Sequence, residues 1–127
     1  MKFLNKTHED RYNILIKRGI GVRPGDMERI PAMYILAGND GLYSKVDKIY
    51  DFKNGYFDLE IKVICEECEK MKVDWKVEMS TSEERLASLA FDIFSGRSFI
   101  GVCNLFRALD INNVQLALNA IKLKYQY

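Results

Sequence analysis

Gly38-Asn39-Asp40-Gly41 is a stretch whose residue types and spacing could do chemistry. It follows the apolar run Met33–Ala37 and precedes a charged segment. If that run were a buried strand, the backbone N–H groups of a strand–loop–helix could bind an anion. The nucleotide signatures are missing, however. A phosphate-binding loop ends in Gly-Lys-Ser/Thr, whereas Gly41 is followed by Leu42-Tyr43. Asp40 would also put a negative charge where a phosphate should sit. The expectation is therefore a turn between two helices, with Asn39 or Asp40 as the cap of the second. Asp47 and Asp51 lie four residues apart beyond it, a spacing at which paired carboxylates can hold Mg²⁺ or exchange protons. Lys45 and Lys48 are interleaved with them, which favours ordinary surface pairs.

Cys65-Glu66-Glu67-Cys68 has the spacing of half a zinc site, but a structural tetrahedral site needs four ligands. The other candidates, Cys103 and the lone His8, are distant in sequence. A redox pair would need a lowered thiol pKa, and two glutamates act in the opposite direction. The expected state is a plain reduced connection inside a hairpin, with no metal and no cofactor. His8, the one histidine, is read as a solvated residue beside a helix cap, which leaves no hydrolytic triad. Near the C-terminus Asn112, Gln115, Asn119 and Lys122 recur at three and four, an amide-rich stripe. Asn and Gln can read adenine edges in a DNA groove. The nearby cations are only Arg107, Lys122 and Lys124, so a polar contact with a protein partner is favoured over nucleic acid. Seven tyrosines are too many to bury with every hydroxyl satisfied, and exposed tyrosine suits a protein-binding surface.

Bulk properties narrow the class. The chain has 127 residues, enough for one domain with a sizeable core. Nineteen basic against eighteen acidic side chains leave a net charge of +1, so no global basic field draws the chain to phosphate backbones. No segment approaches the roughly 18–20 apolar residues of a membrane span, and the N-terminus lacks the apolar stretch of a secretory signal. Three cysteines cannot all pair within one chain. A cytoplasmic protein with reduced thiols, away from membranes, is expected.

The elements that must position these residues follow from periodicity. Thr7 is the expected cap of a first helix running to about Arg18, with Gly19 as its stop. Arg23-Pro24-Gly25-Asp26 is a turn by composition. Pro31 fits the first turn of a helix that Gly38 ends. Leu42, Val46, Ile49 and Tyr50 mark one further helix. After Asn54-Gly55 the period changes to two. Phe57, Leu59, Ile61 and Val63 alternate with charges, as do Met71, Val73, Trp75, Val77 and Met79. That pattern predicts an antiparallel hairpin over about 57–79, one face on the core and the other in water. Ser80-Thr81-Ser82-Glu83-Glu84 offers overlapping capping boxes for a helix that Gly96 ends. A short helix is predicted from Val102 to Leu109, then a polar break at 110–113. A last helix follows with Val114, Leu118, Ile121 and Tyr125 as its apolar stripe and Ala117 beside them. The fold class is α+β: a mostly helical single domain of about five helices with one antiparallel β-hairpin. A lone hairpin is marginal, so it must lie on the helices or pair with a further strand.

"YILAGNDGLYSKVDKIYDF", "SEERLASLAFDIFSG" and "LFRALDINNVQLALNAIKLKY" together make the chain resemble a domain-of-unknown-function family of short proteins from Gram-positive bacteria and their phages. The resemblance is carried by both ends, and it implies that the hairpin is an elaboration. It also implies a cytoplasmic setting, a mobile-element origin and action by binding a host protein, and it supplies no catalytic residues. The expected function is that of a small non-enzymatic binding protein acting by protein–protein contact, with a homodimer as one form. The candidate surface comprises Asn39, Asp40, Tyr43, Asp47 and Asp51, together with Asn112, Gln115, Asn119 and Lys122. Nucleic-acid binding through the C-terminal helix pair is one alternative. A small-molecule or nucleotide site at residues 38–51 is the other.

Overall fold

A computed structural model of the protein describes residues 1–19, 22–67 and 70–125. The first helix, α1 (Lys6–Arg18), is capped by Asn5, whose side chain accepts from the His8 N–H at 2.8 Å. The cap therefore lies two residues before the predicted Thr7. Asp26 then starts the next helix, α2 (Arg29–Gly38), by accepting the backbone N–H groups of Glu28 and Arg29. Pro31 is in its first turn, where the missing donor costs no hydrogen bond. Every residue from Ile30 to Ala37 is buried. A helix apolar on all sides has to be enclosed, and α2 is enclosed by α1 and by two helices that come later in the chain.

The single helix predicted after Gly38 is two short ones, α3 (Asp40–Ser44) and α4 (Val46–Ile49), broken at Lys45. Their apolar positions still converge, with Leu42, Val46, Ile49 and Tyr50 buried. Tyr50–Asp51 and Tyr56–Phe57 form β1 and β2, a small antiparallel pair closed by a turn with Gly55 at φ 79°. The larger hairpin joins β3 (Leu59–Cys65) to β4 (Lys70–Trp75). The second predicted strand thus ends at Trp75, and Val77 and Met79 lie beyond it.

The helix α5 (Thr81–Ser95) begins with a complete capping box between Ser80 and Glu83 and ends at Gly96 in the left-handed conformation, φ 72°. α6 (Val102–Arg107) is one residue pair shorter than predicted, and α7 (Ile111–Tyr125) starts within the expected polar break. Its buried face is Leu116, Ala117 and Ala120, while Leu118 and Tyr125 are exposed. The predicted Val114–Leu118–Ile121–Tyr125 stripe is therefore turned partly away from the core, although Ile121 still packs against it. Gly38 explains the rotation: a Cβ there would lie 2.2 Å from Leu116 Cδ1, so the bare glycine receives the leucine and sets which face of α7 turns inward.

The architecture is α+β and mostly helical, with seven helices and two separate two-stranded antiparallel sheets among the described residues. α2 forms the centre, packed by α1, α5 and α7, and α3 closes one end. The hairpin β3–β4 touches this body at its root. There Phe57, Trp75, Phe91 and Phe94 pack ring on ring at 5.2–6.4 Å. Contact fades toward the tip: Phe57 in β2 is 5% exposed and Val73 in β4 8%, whereas Ile61 and Val63 in β3 are 37% and 59% exposed. The expected core-facing side of the hairpin holds through Val73 on β4 and is lost along β3.

Candidate functional site

Asn39 occupies the corner between α2 and α3. Its side-chain oxygen accepts the Leu42 N–H at 3.0 Å, which caps α3, and its amide nitrogen donates to Asn113 Oδ1 at 3.1 Å. Asp110 caps the start of α7 by accepting the Asn113 N–H at 2.9 Å. Farther along α7, Gln115 donates to Asn119 at 2.7 Å, and Asn119 donates to the buried Tyr34 hydroxyl at 3.0 Å. That hydroxyl in turn donates to the Lys2 carbonyl at 2.5 Å. A polar cleft of about 620 Å³ lies between these groups, with Asn39 and Asp40 on one side and Asn112, Gln115 and Asn119 on the other. Asn5 and Asn113 line it too. The two halves of the predicted candidate surface, more than seventy residues apart in sequence, thus meet in one place.

The acidic candidates are committed elsewhere. Asp40 pairs with Arg11 and Asp47 with Arg18, so both carboxylates tie α1 to the α3–α4 segment. Arg11 also lies over the Tyr43 ring, 4.8 Å from its centre. Asp51 accepts from the Lys53 and Asn54 backbone N–H groups and closes the β1–β2 turn. Hydrogen bonds from Asn54 hold its carboxyl below the usual range. Tyr43, Asp47 and Asp51 do not line the cleft. Lys122 sits beside it, in a smaller hollow with Lys2, Gln115 and Asn119.

His8 departs most from expectation. It is buried at 2% exposure rather than solvated. Its Nδ1 accepts the Leu4 N–H at 3.1 Å and its Nε2 donates to the Tyr34 carbonyl at 2.8 Å. Both ring nitrogens are used, which specifies the neutral tautomer carrying its proton on Nε2. Burial pushes its pKa down. Gly38 again makes room, since a Cβ there would come within 3.0 Å of Nε2. The paired glycine, Gly41, serves a similar end. Glu83 fills the space where its side chain would be, with Oε2 2.0 Å from the position of a Cβ. The Glu83 carboxylate accepts the Ser80 N–H and pairs with Lys45 at 2.9 Å. The Ser80 bond and then Lys45 hold it below the usual carboxylate range, against the effect of burial. The glycines that suggested a phosphate loop are packing sites for α7 and α5.

Among the described residues, no three His, Cys, Asp or Glu side chains group as metal ligands. Cys103 is free and exposed. Cys65 is disulfide-bonded rather than the reduced thiol expected, and Cys68 lies outside the described residues. The sequence reading missed Asn5, Asp110 and Asn113 as cleft residues. Their signal was local, since two of them are helix caps, but the convergence of three helix starts on one cleft is tertiary.

The fold and cleft define a mostly helical α+β protein with an amide-lined recess at the junction of α1, α3 and α7. The chain belongs to DUF6075, a family of unknown function, whose model matches residues 1–127. That match runs through the hairpin as well as both ends. No curated protein and no solved structure matches the chain. No helix among the described residues is long and apolar enough to cross a membrane.

Proposed function

We propose that this is a small non-enzymatic binding protein acting by protein–protein contact, and that the amide-lined cleft receives its partner. The observation that carries the reading is the gathering of Asn5, Asn39, Asn112, Asn113, Gln115 and Asn119 around one recess. A side-chain amide both donates and accepts hydrogen bonds, as a polypeptide backbone does. Several amides spaced along a cleft therefore suit an extended peptide segment better than a charged group. The titratable residues nearby support binding rather than turnover: Asp40 is paired with Arg11, Asp110 caps α7, and the His8 nitrogens are spent inside the core. The resemblance to short proteins of Gram-positive bacteria and their phages adds a cytoplasmic setting and a host protein as the partner.

The test is photo-crosslinking in a Gram-positive lysate from a probe at exposed Lys2, which lines the cleft, carried alike by the otherwise unchanged protein, a Gln115→Arg, Asn112→Arg variant and a control substituted at exposed Ile14. One discrete adduct that survives the control and disappears in the double variant is expected. The same adduct from all three proteins would remove the cleft from the proposal.

The cleft's size also favours a small polar ligand at the 38–41 end, since about 300–1,000 Å³ is the usual range for small-molecule sites. A thermal-shift screen of polar metabolites that moved the midpoint only with an intact Asn39 would select that reading. Nucleic-acid recognition by α7 has less support, because the cations on α6 and α7 are only Arg107, Lys122 and Lys124, few for holding a phosphate backbone.

A further inference from the structure

Strand β3 has β4 on one edge and no strand on the other among the described residues. Glu60 to Ile64 are all exposed. An edge of this kind, with unpaired main-chain donors and acceptors, is a template for another strand. On the apolar face of the hairpin Val73 is buried, but Ile61, Val63 and Met71 are exposed at 37%, 59% and 47%. The charges on the opposite face are unusual. The intrachain register sets Glu60 against Asp74 and Lys62 against Lys72, like against like. Directly opposed like charges destabilise a strand pair; the diagonal Lys62–Asp74 bond, at 2.8 Å, relieves part of the conflict, with weaker attractions of Glu60 to Lys62 and Lys76 and of Asp74 to Lys72.

We infer that a second copy of this chain pairs with the free edge, β3 antiparallel to β3 about a two-fold axis at Ile61. The pairing follows from the order of residues. Antiparallel self-pairing centred on Ile61 puts Glu60 opposite the partner's Lys62, and Lys62 opposite the partner's Glu60. Leu59 comes opposite the partner's Val63, and the two Ile61 side chains meet on the axis. The charges that are mismatched within one chain become matched across the seam. The apolar face becomes continuous over four strands, and the exposed Ile61 and Val63 side chains gain neighbours. A two-fold interface requires a self-complementary surface, and a strand reading acidic, apolar, basic about its centre has that property.

The aromatic root of the hairpin lies at the Leu59 end, so antiparallel pairing sends the two helical bodies to opposite ends of the seam. The irregularity between Val63 and Cys65 ends the flat run, which confines the seam to Leu59–Val63. A lysine on an edge strand ordinarily discourages pairing. Here Glu60, two residues away on the same face, supplies its counter-charge from the second copy. The seam is short, so a weak, concentration-dependent dimer is expected. It uses a surface separate from the amide cleft and stands independently of the function proposed there.

Sedimentation velocity on the full chain, from micromolar to millimolar concentration, is the test. The wild-type mass should double across that range. Glu60→Lys and Lys62→Glu should each remain monomeric, because each places like charges on both sides of the seam. An equimolar mixture of the two should dimerise, since the lysines of one then oppose the glutamates of the other. The double variant Glu60→Lys, Lys62→Glu should recover self-association. Recovery on mixing also excludes misfolding as the cause of the single-variant losses. A wild-type chain that stays monomeric throughout, as it would if another protein's strand were the natural occupant, overturns the inference. Single variants that dimerise as the wild type does overturn it equally.

Discussion

α2 and the β3–β4 hairpin are both rich in apolar residues, yet they end in opposite environments. From Ile30 to Ala37 the helix is buried without interruption. In the hairpin, the alternating apolar residues are buried at the root and exposed toward the tip. The difference teaches that alternation specifies a pleated strand but not what covers it. A helix apolar on all sides must be surrounded for the chain to fold. An amphipathic hairpin needs only its root anchored, and its remaining apolar side is left for contact. Stability should therefore reside in the helical body, and the hairpin should tolerate change.

The strongest test of that contrast is Leu36→Ala, at a fully buried site in α2. Denaturant unfolding should show a loss of about 2–5 kcal/mol, and a loss below about 1 kcal/mol would break the comparison. Gly38→Ala should follow, at about 1–3 kcal/mol, through overpacking against Leu116. Adding Leu116→Ala should return part of that loss, and a double-mutant cycle that proved additive would deny the contact. Glu83→Ala removes a capping box and the Lys45 partner together, so about 1–2 kcal/mol is expected. The Glu83 carboxyl titrates below its unfolded value, so its contribution is present at neutral pH and lost as pH falls through the folded pKa. An acid titration of stability should be shallower in the variant.

His8 gives a subtler effect of the same sign. Burial depresses its pKa, so the folded state binds the proton less readily than the unfolded chain. Stability should begin to fall as pH drops below about 6.5 and continue to fall until the folded pKa is passed. Thermal melts of His8→Gln should lack that component. The smallest effect is expected at Val63→Ala on the hairpin, within about 0.5 kcal/mol for a dilute, monomeric chain. A larger loss there would mean that the hairpin tip is packed after all.

Much of the helical frame was legible in the sequence. α5 announced itself through Ser80, Glu83 and Gly96, because caps and stops are local signals. Asn39 was legible as a cap for the same reason. β1 and β2 were not legible, since two-residue strands carry no period. The inward face of α7 was only partly legible: Ala117 was placed beside the stripe, but Leu116 and Ala120 were not. What chose Leu116, Ala117 and Ala120 was the missing side chain at Gly38, far away in sequence. His8 was misread because its acceptor, the Tyr34 carbonyl, becomes adjacent only after folding. The cleft was half legible: its amide stripe and its corner were each visible, but not that they face one another.

The chain contains one histidine, and its ring lies directly beneath Gly38, which lines the cleft, while Leu4 and Asn5 on either side of its hydrogen bonds form part of the same wall. A proton NMR spectrum therefore carries one imidazole carbon-bound pair of signals, with no neighbour of its kind to confuse it. Those lines, recorded without labels or tags, would report whether anything has settled into the recess above.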